Sequence, residues 1–182
     1  MAEGVRERMI AGAMRLLAQQ GPQATSFSEV LKLTKAPRGS IYHHFPGGKN
    51  QLVLAAVDAA GENALRALGD LDDADAVAIT EAFLGMWRLL LERSATSMGC
   101  GVLAVTVAPP SDEVLDRARD VFRSWRALLE ERLTAGGMPA GFAPTLIAAA
   151  EGAVVLARAE RGLEPFDAVA GYLLAHVRAV TG

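Results

Sequence analysis

The sequence is poor in the features that mark secreted and membrane proteins. Its 182 residues contain one cysteine, Cys100, so no disulfide can form within the chain, and a reducing, cytoplasmic location is expected. No run approaches eighteen consecutive apolar residues, and the N-terminus carries charges in place of the apolar core of a signal peptide, at Glu3, Arg6, Glu7 and Arg8. We therefore expect no membrane partner.

Signatures of catalysis are also missing. The chain has no G-x-G-x-x-G or P-loop motif, and no Ser/His/Asp or Cys/His arrangement with a recognisable local signature. His176 is the only histidine outside the pair His43-His44. Adjacent helical residues point about 100° apart, whereas chelating histidines are spaced i and i+4, so a metal site is disfavoured for this pair. We expect a protein that is not an enzyme, without catalytic residues, cofactor or metal.

Composition and charge distribution favour a globular protein with a basic N-terminal end. Hydrophobic residues make up 51% of the chain and charged residues 21%, which is typical of a packed fold. The net charge of −3 divides into +4 for residues 1–50 and −7 for the remainder. Such segregation lets the basic end meet phosphates while the acidic end stays away from them.

The stretch Lys35–Lys49, KAPRGSIYHHFPGGK, is the most informative part of the sequence. Pro37 suits the first position of a helix, where its missing N–H would have no intrahelical acceptor. Ile41 and Phe45 lie four residues apart and share a face that can pack inward. The side chains left to point outward are donors suited to phosphates, a glycine and an aromatic hydroxyl: Arg38, Gly39, Ser40, Tyr42, His43, His44 and Lys49.

The preceding residues predict the first half of a helix-turn-helix. Ser26 and Glu29 fit the S-x-x-E capping box at a helix start. An apolar stripe follows at helical spacing, and Thr34–Ala36 gives a connection of the length that such units use.

At these residues the chain resembles a known family. Thr25–Leu54 resembles the DNA-binding domain of TetR-type regulators, with Ser40–Phe45 in place of their TLYHHF-like run. The stretches Phe45–Lys49, Gly99–Val105 and Glu151–Arg158 resemble the LmrA/YxaF-like subgroup. Two positions depart from the family pattern: Lys35 replaces the usual turn glycine, and Pro37 replaces the usual Ser or Thr N-cap.

The resemblance and the helical periodicity together predict an all-α fold of about nine helices. We expect a helix-turn-helix domain over residues 1–50, a connecting fourth helix over about 49–68, and an effector-binding and dimerisation domain over 69–182. The acidic stretch Gly69–Asp75 is the predicted linker. Val102–Val107 is interpreted as a short buried helix, because a lone strand would have no partner.

The predicted DNA contacts follow from the outward face of the second helix of the motif. Arg38 and Ser40 are the expected readers of base edges. The Tyr42 hydroxyl and Lys49, at the start of the fourth helix, are expected to bind phosphates. The full set of candidates is Ser26, Ser28, Arg38, Gly39, Ser40, Tyr42, His43, His44 and Lys49.

The C-terminal half supplies large apolar side chains for which two interpretations stay open. They form either a plain core or a pocket for a small hydrophobic effector, which the resemblance to ligand-responsive regulators implies. Cys100 is also considered as an oxidant sensor, although no basic cluster lies near it in the sequence. The candidate ligand-binding residues are Phe83, Met86, Trp87, Leu90, Met98, Cys100, Phe122, Trp125, Arg126 and Arg158, with Glu151 as a possible partner of Arg158.

The last two helices lack a clear polar face and therefore need two sets of neighbours. The resemblance implies a four-helix dimer interface; the alternative is that they fill the centre of a monomer. A two-fold dimer would place two reading helices on a roughly palindromic operator. The candidate interface residues are Ile147, Ala150, Val154, Ala157, Phe166, Val169, Leu173 and Val177.

These observations predict a homodimeric, ligand-responsive transcriptional repressor that binds double-stranded DNA. An activator would share every feature. A carrier or scavenger of hydrophobic molecules remains an alternative, and would lack affinity for an operator.

Overall fold

A computed structural model describes residues 2–69 and 74–182 of the chain, with side chains described from Gly4 onward. Within these ranges the regular structure is entirely α-helical, which confirms the predicted fold class. The helices in chain order are α1 (Ala2–Ala24), α2 (Phe27–Thr34), α3 (Arg38–His44), α4 (Gly48–Gly69), α5 (Ala76–Arg93), α6 (Gly101–Val107), α7 (Asp112–Ala135), α8 (Phe142–Glu160) and α9 (Glu164–Thr181). Residues 70–73 of the predicted linker lie outside the described ranges.

The observed helix ends follow the local sequence signals. α1 continues past its predicted stop, but Gly21 has a non-helical backbone with φ 77°, so the Gly21-Pro22 pair does break the helix there. Asp75 caps α5 by accepting the Ala78 N–H at 2.8 Å. The apolar run Val102–Val107 is a short helix, as predicted, beginning one residue earlier at Gly101.

The described chain forms two compact units. The first comprises Met1–Asn63 and Cys100–Phe122. In it, α1 packs against α2, α3 and α6, and its buried side chains include Met9, Ala13 and Leu17. These side chains recur at helical spacing, so one face of α1 is removed from water.

The second unit comprises Ala64–Gly99 and Arg123–Gly182. Its helices α5, α8 and α9 pack against one another. Two exposed ion pairs join α5 to α9: Arg88 Nε to Asp167 Oδ1 and Arg178 Nη2 to Glu81 Oε1, each 2.8 Å. Exposed pairs of this kind contribute about 0–1 kcal/mol, so the apolar side chains between the helices carry most of the stability.

The chain passes from one unit to the other at three places: inside α4, between Gly99 and Cys100 ahead of α6, and inside α7. Residues 100–122 join the first unit because α6 packs on α1; a Cβ at Gly101 would lie 3.4 Å from the Leu17 Cβ. The units are defined by packing, and they differ in extent from the predicted domains 1–50 and 69–182. The functional boundaries stay a prediction.

Candidate nucleic-acid interface

The first helix of the motif, α2, has defined ends. Ser26 Oγ accepts the Glu29 N–H at 3.3 Å, which confirms Ser26 as the N-cap. Lys35 ends α2 in the left-handed conformation, with φ 54° and ψ 27°. Glycine adopts this conformation at no steric cost, which explains the glycine that the family pattern places here. Lys35 therefore holds the turn under backbone strain.

The second helix, α3, begins one residue later than the sequence suggested. Pro37 lies at the N-cap with φ −61° and ψ 134°, and not at the first helical position. An extended ψ lets the Pro37 carbonyl accept the Ser40 N–H at 3.0 Å, which starts the helix without a side-chain cap. The Ser40 hydroxyl donates to the same carbonyl at 2.6 Å, so this predicted base reader is restrained at the helix start.

The inner face of α3 is fixed by two fully buried side chains. Ile41 and Phe45 are both 0% exposed, as their spacing predicted. The Arg6 guanidinium carbon lies 5.6 Å from the centre of the Phe45 ring, in the range of a cation–π contact. Because this face is anchored to α1, the orientation of the opposite face is set.

The outer face of α3 is open to solvent. Tyr42 is 66% exposed, and Arg38, Gly39 and His43 are exposed as well. A Cβ added at Gly39 would meet no atom within 4 Å. Packing within the described chain therefore does not require a glycine at this position.

The orientation of the Tyr42 ring is set by a contact with the preceding helix, α2. Its ring meets the Phe27 ring edge to face, with centroids 5.5 Å apart and planes at 83°. This geometry is the favoured one for an aromatic pair. The contact between Phe27 and Tyr42 was not predicted from the sequence, because it depends on how α2 and α3 pack.

Four other candidates lie at the edges of this face. His43 and His44 stack edge to face with centroids 5.3 Å apart, His43 exposed and His44 half-buried. Ser26 and Ser28 share a hydroxyl hydrogen bond of 2.9 Å at the start of α2. Across residues 2–69 and 74–182 no group of three or more His, Cys, Asp or Glu side chains is placed to hold a metal ion.

Lys49 lies in the first turn of α4, as predicted, but its side chain already has a protein partner. Lys49 Nζ donates to the Pro22 carbonyl at 2.6 Å. An ammonium group has three N–H donors, so this bond leaves two for other acceptors.

A capped helix, a tight turn and a second helix anchored on one face and open on the other, with an arginine and a tyrosine on the open face, define a DNA-binding protein of the helix-turn-helix class. Comparison with known proteins agrees. Residues 9–56 match the family described as bacterial regulatory proteins, tetR family, and residues 76–172 match the LmrA/YxaF-like transcriptional regulator C-terminal domain. The chain belongs to the TetR family of transcriptional regulators, in its LmrA/YxaF-like group. Its relatives are regulators and not enzymes.

Individual relatives cover most of the chain. The HTH-type transcriptional regulator Rv0196 of Mycobacterium tuberculosis is 36% identical over 178 residues, covering 92% of this chain and 91% of that protein. The regulator LmrA of Bacillus subtilis is 31% identical over 138 residues, 72% of each. Among solved structures, the regulatory protein TetR from Rhodobacter sphaeroides has a TM-score of 0.81 at 23% identity, covering 93% of this chain and 97% of that one. A TetR regulator from Chloroflexus aurantiacus has a TM-score of 0.77 at 28% identity, covering 97% and 96%.

The candidate effector residues divide between the two units. Cys100 and Phe122 belong to the first unit and the other eight to the second. Phe83 and Trp87 are buried and meet edge to face at 6.5 Å. Trp125 is also buried, whereas Arg126 is exposed and therefore unsuited to anchor a ligand in the interior. Cys100 is the buried N-cap of α6, its Sγ accepting the Leu103 N–H at 3.3 Å.

Met86, Leu90, Met98, Phe122 and Arg158 are half-buried. Glu151, considered as a partner for Arg158, is 6% exposed in α8. The assignment of the predicted set as a ligand site stays a prediction.

The candidate dimer residues lie on the inner faces of α8 and α9. Ile147, Ala150, Val154, Ala157, Phe166, Leu173 and Val177 are each at most 9% exposed within the single chain, and Val169 is half-buried. Their surface is used by the second unit itself, because α8 and α9 pack on α5 and on each other. Within the single chain the predicted stripe therefore faces the core of the second unit, and its role in a dimer stays a prediction.

Proposed function

We propose that this protein is a transcriptional repressor that binds a palindromic operator as a homodimer and is released by a small hydrophobic effector. The main support for DNA recognition is the open face of α3, which presents Arg38, Gly39 and Tyr42 to solvent. The opposite face is anchored by the buried side chains of Ile41 and Phe45. An arginine can form a bidentate pair with guanine, and a tyrosine hydroxyl can bind phosphate.

Gly39 supports a close approach of α3 to DNA. A glycine inside a helix costs about 1 kcal/mol relative to alanine. No neighbouring atom within 4 Å needs that space. A backbone pressed against the sugar-phosphate chain would use the missing Cβ, so the glycine fits a docking position.

The outer faces of α8 and α9 support a homodimer. α8 exposes small and apolar residues at helical spacing, namely Ala148, Gly152, Val155, Leu156 and Ala159. α9 does the same with Ala168, Gly171, Tyr172, Ala175 and Ala179. We call these two sets the outer stripe. Small residues allow two helices to approach closely, and exposed apolar residues repeated along one helix face suit an interaction surface.

The apolar composition of α8 also supports a homodimer. By length and hydropathy α8 could cross a membrane, with 44% of its most apolar window buried in this chain. Its inner face packs on α5 and α9, so the helix is half core and half exposed apolar surface. A second copy with the same outer stripe offers a matching apolar face through two-fold symmetry.

The effector is proposed to enter near Trp87. The Trp87 indole N–H is buried and, among the described residues, has no hydrogen-bond partner. A buried donor without an acceptor costs about 1–3 kcal/mol, so a bound molecule with a carbonyl or ether oxygen would be favoured there. The proposed effector is thus apolar with one acceptor.

Binding to DNA upstream of the protein's own gene tests the repressor proposal. Fluorescence anisotropy at several salt concentrations should show tighter binding to that DNA than to a random duplex of equal length. Transcription from the adjacent promoter in vitro should fall as protein is added. Equal affinity for both duplexes at every salt concentration contradicts operator recognition, and increased transcription would make the protein an activator.

The effector site is tested by tryptophan emission. The chain has two tryptophans, so Trp125→Phe leaves Trp87 as the only emitter. A compound bound at the proposed site should shift or quench this emission, whereas the matching Trp87→Phe variant should respond less. The opposite ranking of the two variants would place the compound elsewhere.

A further inference from the structure

All three lysines of the chain, Lys32, Lys35 and Lys49, lie within or just after the helix-turn-helix. The other fifteen basic residues are arginines, which are spread over the whole sequence. Residues 30–57 contain these lysines and Arg38, but no Asp or Glu. Such a concentration of positive charge attracts the phosphate backbone of nucleic acid. The function proposed above assigns no role to one of the three, Lys35.

The Lys35 side chain is exposed at the end of α2. Within residues 4–69 and 74–182 it forms no ion pair and no hydrogen bond. Exposed arginines elsewhere do have carboxylate partners, such as Arg88 with Asp167 and Arg117 with Asp58, each at 2.8 Å. The Lys35 ammonium therefore keeps its three N–H donors for solvent or for a ligand.

The backbone of Lys35 has the left-handed conformation, with φ 54° and ψ 27°. A side chain makes this conformation costly, and glycine avoids the cost. A cation near the end of a helix gains from the helix dipole, but this gain is small at an exposed residue, and Lys32 already lies in the last turn of α2. The contacts of the free protein thus do not compensate the strain, which favours a role for Lys35 in binding.

Conformation alone does not single out Lys35, because Arg161 ends α8 in the same way, with φ 54° and ψ 36°. Arg161 is also exposed. The two residues differ in location: Arg161 belongs to the second unit, whereas Lys35 belongs to the first and precedes the start of α3 by three residues. Arg161 is therefore an internal comparison, with the same charge and backbone conformation outside the helix-turn-helix.

Lys35 lies in the turn through which the chain passes from α2 to α3. When a helix-turn-helix binds DNA, its second helix lies in the major groove and its first helix crosses the phosphate backbone. The turn between them is then expected at the edge of the groove, beside the phosphates. Ala36, the next residue, is 8% exposed, so the turn is anchored to the protein while the Lys35 side chain remains in solvent.

We propose that Lys35 binds a phosphate of the DNA backbone at the edge of the groove that α3 enters, and that this contact accounts for a lysine in the strained turn. The inference rests on the proposed DNA recognition and adds a contact outside the open face of α3. Phosphate contacts carry no information about base sequence. Lys35 should therefore strengthen binding to specific and to random DNA by a similar factor.

Fluorescence anisotropy measures this contribution with two duplexes of equal length, the DNA upstream of the protein's own gene and a random sequence. Lys35→Gly should weaken binding to both, and should reduce the slope of log affinity against log salt concentration by about 0.9 per contact, or about 1.8 for a dimer. Lys35→Arg keeps the charge and should keep the slope of the parent. Urea unfolding should show that Lys35→Gly is at least as stable as the parent, so that weaker binding does not reflect unfolding.

Arg161→Gly is the matched control. It removes the same charge from the same backbone conformation in the second unit, and should leave the salt slope unchanged on both duplexes. An equal fall of the slope in both variants would assign the effect to the net charge of the protein and overturn the proposal. An unchanged slope in Lys35→Gly would overturn it as well.

Acetylation of lysine tests the contact directly. Because the chain has three lysines, mass spectrometry after treatment with an N-hydroxysuccinimide ester can follow each of them separately. Addition of the random duplex should slow the modification of Lys35, and salt sufficient to dissociate the complex should restore the rate. Modification of Lys35 at the same rate with and without bound DNA would contradict the contact.

The two duplexes distinguish a failure of this inference from a failure of the proposed function. If the parent binds both duplexes equally and Lys35→Gly lowers the slope, the Lys35 contact holds and operator recognition fails. If the parent prefers the upstream DNA and Lys35→Gly has the parent slope, operator recognition holds and the Lys35 contact is wrong. A parent that binds neither duplex at low salt contradicts both.

Discussion

Lys49 Nζ donates a hydrogen bond of 2.6 Å to the Pro22 carbonyl, joining the first turn of α4 to the end of α1. Pro22 follows the break in α1 at Gly21, whose backbone is not helical. The bond fixes the ammonium beside the N-terminal end of α4, whose free N–H groups also attract anions. One side chain thus serves packing and, in our proposal, phosphate binding.

Lys49→Met should separate these two roles. Loss of the hydrogen bond should lower the free energy of unfolding by about 1 kcal/mol. Loss of one phosphate contact in each subunit should reduce the slope of log affinity against log salt concentration by about 0.9 per contact, or about 1.8 for the dimer. Urea unfolding and anisotropy titrations measure the two effects. An unchanged salt slope would leave Lys49 a purely structural residue.

Gly39→Ala should raise the free energy of unfolding of the protein and lower its affinity for the operator. The alanine should stabilise α3 by up to about 1 kcal/mol, since no atom lies near the new Cβ. The methyl group should obstruct DNA and weaken operator affinity at least about tenfold. Gly85→Ala in α5 is the control, because Gly85 is also exposed and unobstructed. If both variants bind DNA like the parent, α3 does not approach DNA closely at Gly39.

Tyr42→Phe should weaken operator binding while preserving stability. The hydroxyl is proposed to bind a phosphate, and a hydrogen bond to a charged group contributes about 1.5–3 kcal/mol, or about ten- to hundredfold in affinity. The phenylalanine ring keeps the edge-to-face contact with Phe27. Thr134→Val removes an exposed hydroxyl from α7, outside both α3 and the outer stripe, and serves as the control. Equal loss in both variants would argue against a specific phosphate contact.

Lys35→Gly should stabilise the turn between α2 and α3. The left-handed conformation costs a residue with a side chain about 1–2 kcal/mol, and glycine avoids this cost. Part of the gain is lost because glycine makes the unfolded chain more flexible, which stabilises the unfolded state. We expect a gain of about 0.5–1 kcal/mol in urea unfolding. Lys35→Ala loses the charge and keeps the strain, so it should show no gain. A similar gain in both variants would assign the effect to charge.

Leu156→Glu should dissociate the dimer. Leu156 is 48% exposed on the outer stripe, and two-fold pairing would bring glutamates from both subunits into an apolar interface. Light scattering after gel filtration should shift from dimer to monomer mass, with a parallel loss of operator affinity. Val107→Glu, at a residue 77% exposed outside the stripe, should remain dimeric. A parent protein of monomer mass at all concentrations would refute the dimer.

The helix-turn-helix was predicted well from the sequence because the signals that define it are local. Capping at Ser26, the i and i+4 pair Ile41 and Phe45, and the exposure of Tyr42 depend on residues a few positions apart. The error at Pro37, placed one residue too far into the helix, is also local: proline suits both positions, and only ψ distinguishes them. The contacts of Lys49 with Pro22 and of Tyr42 with Phe27 were missed because they join residues from different helices.

What the sequence by itself determined is the helical class, the helix order and the family, since these follow from periodicity, caps and short motifs. Which face of α8 and α9 is core was decided only by the tertiary structure. Both faces of α8 carry apolar or small residues, so the hydropathy pattern does not distinguish a buried face from an exposed one. Only the packing of α8 against α5 shows that Ala150 is buried and Leu156 exposed. The contact between Gly99 and Arg158 arises in the same way, because the two residues are distant in sequence and meet only in the folded second unit.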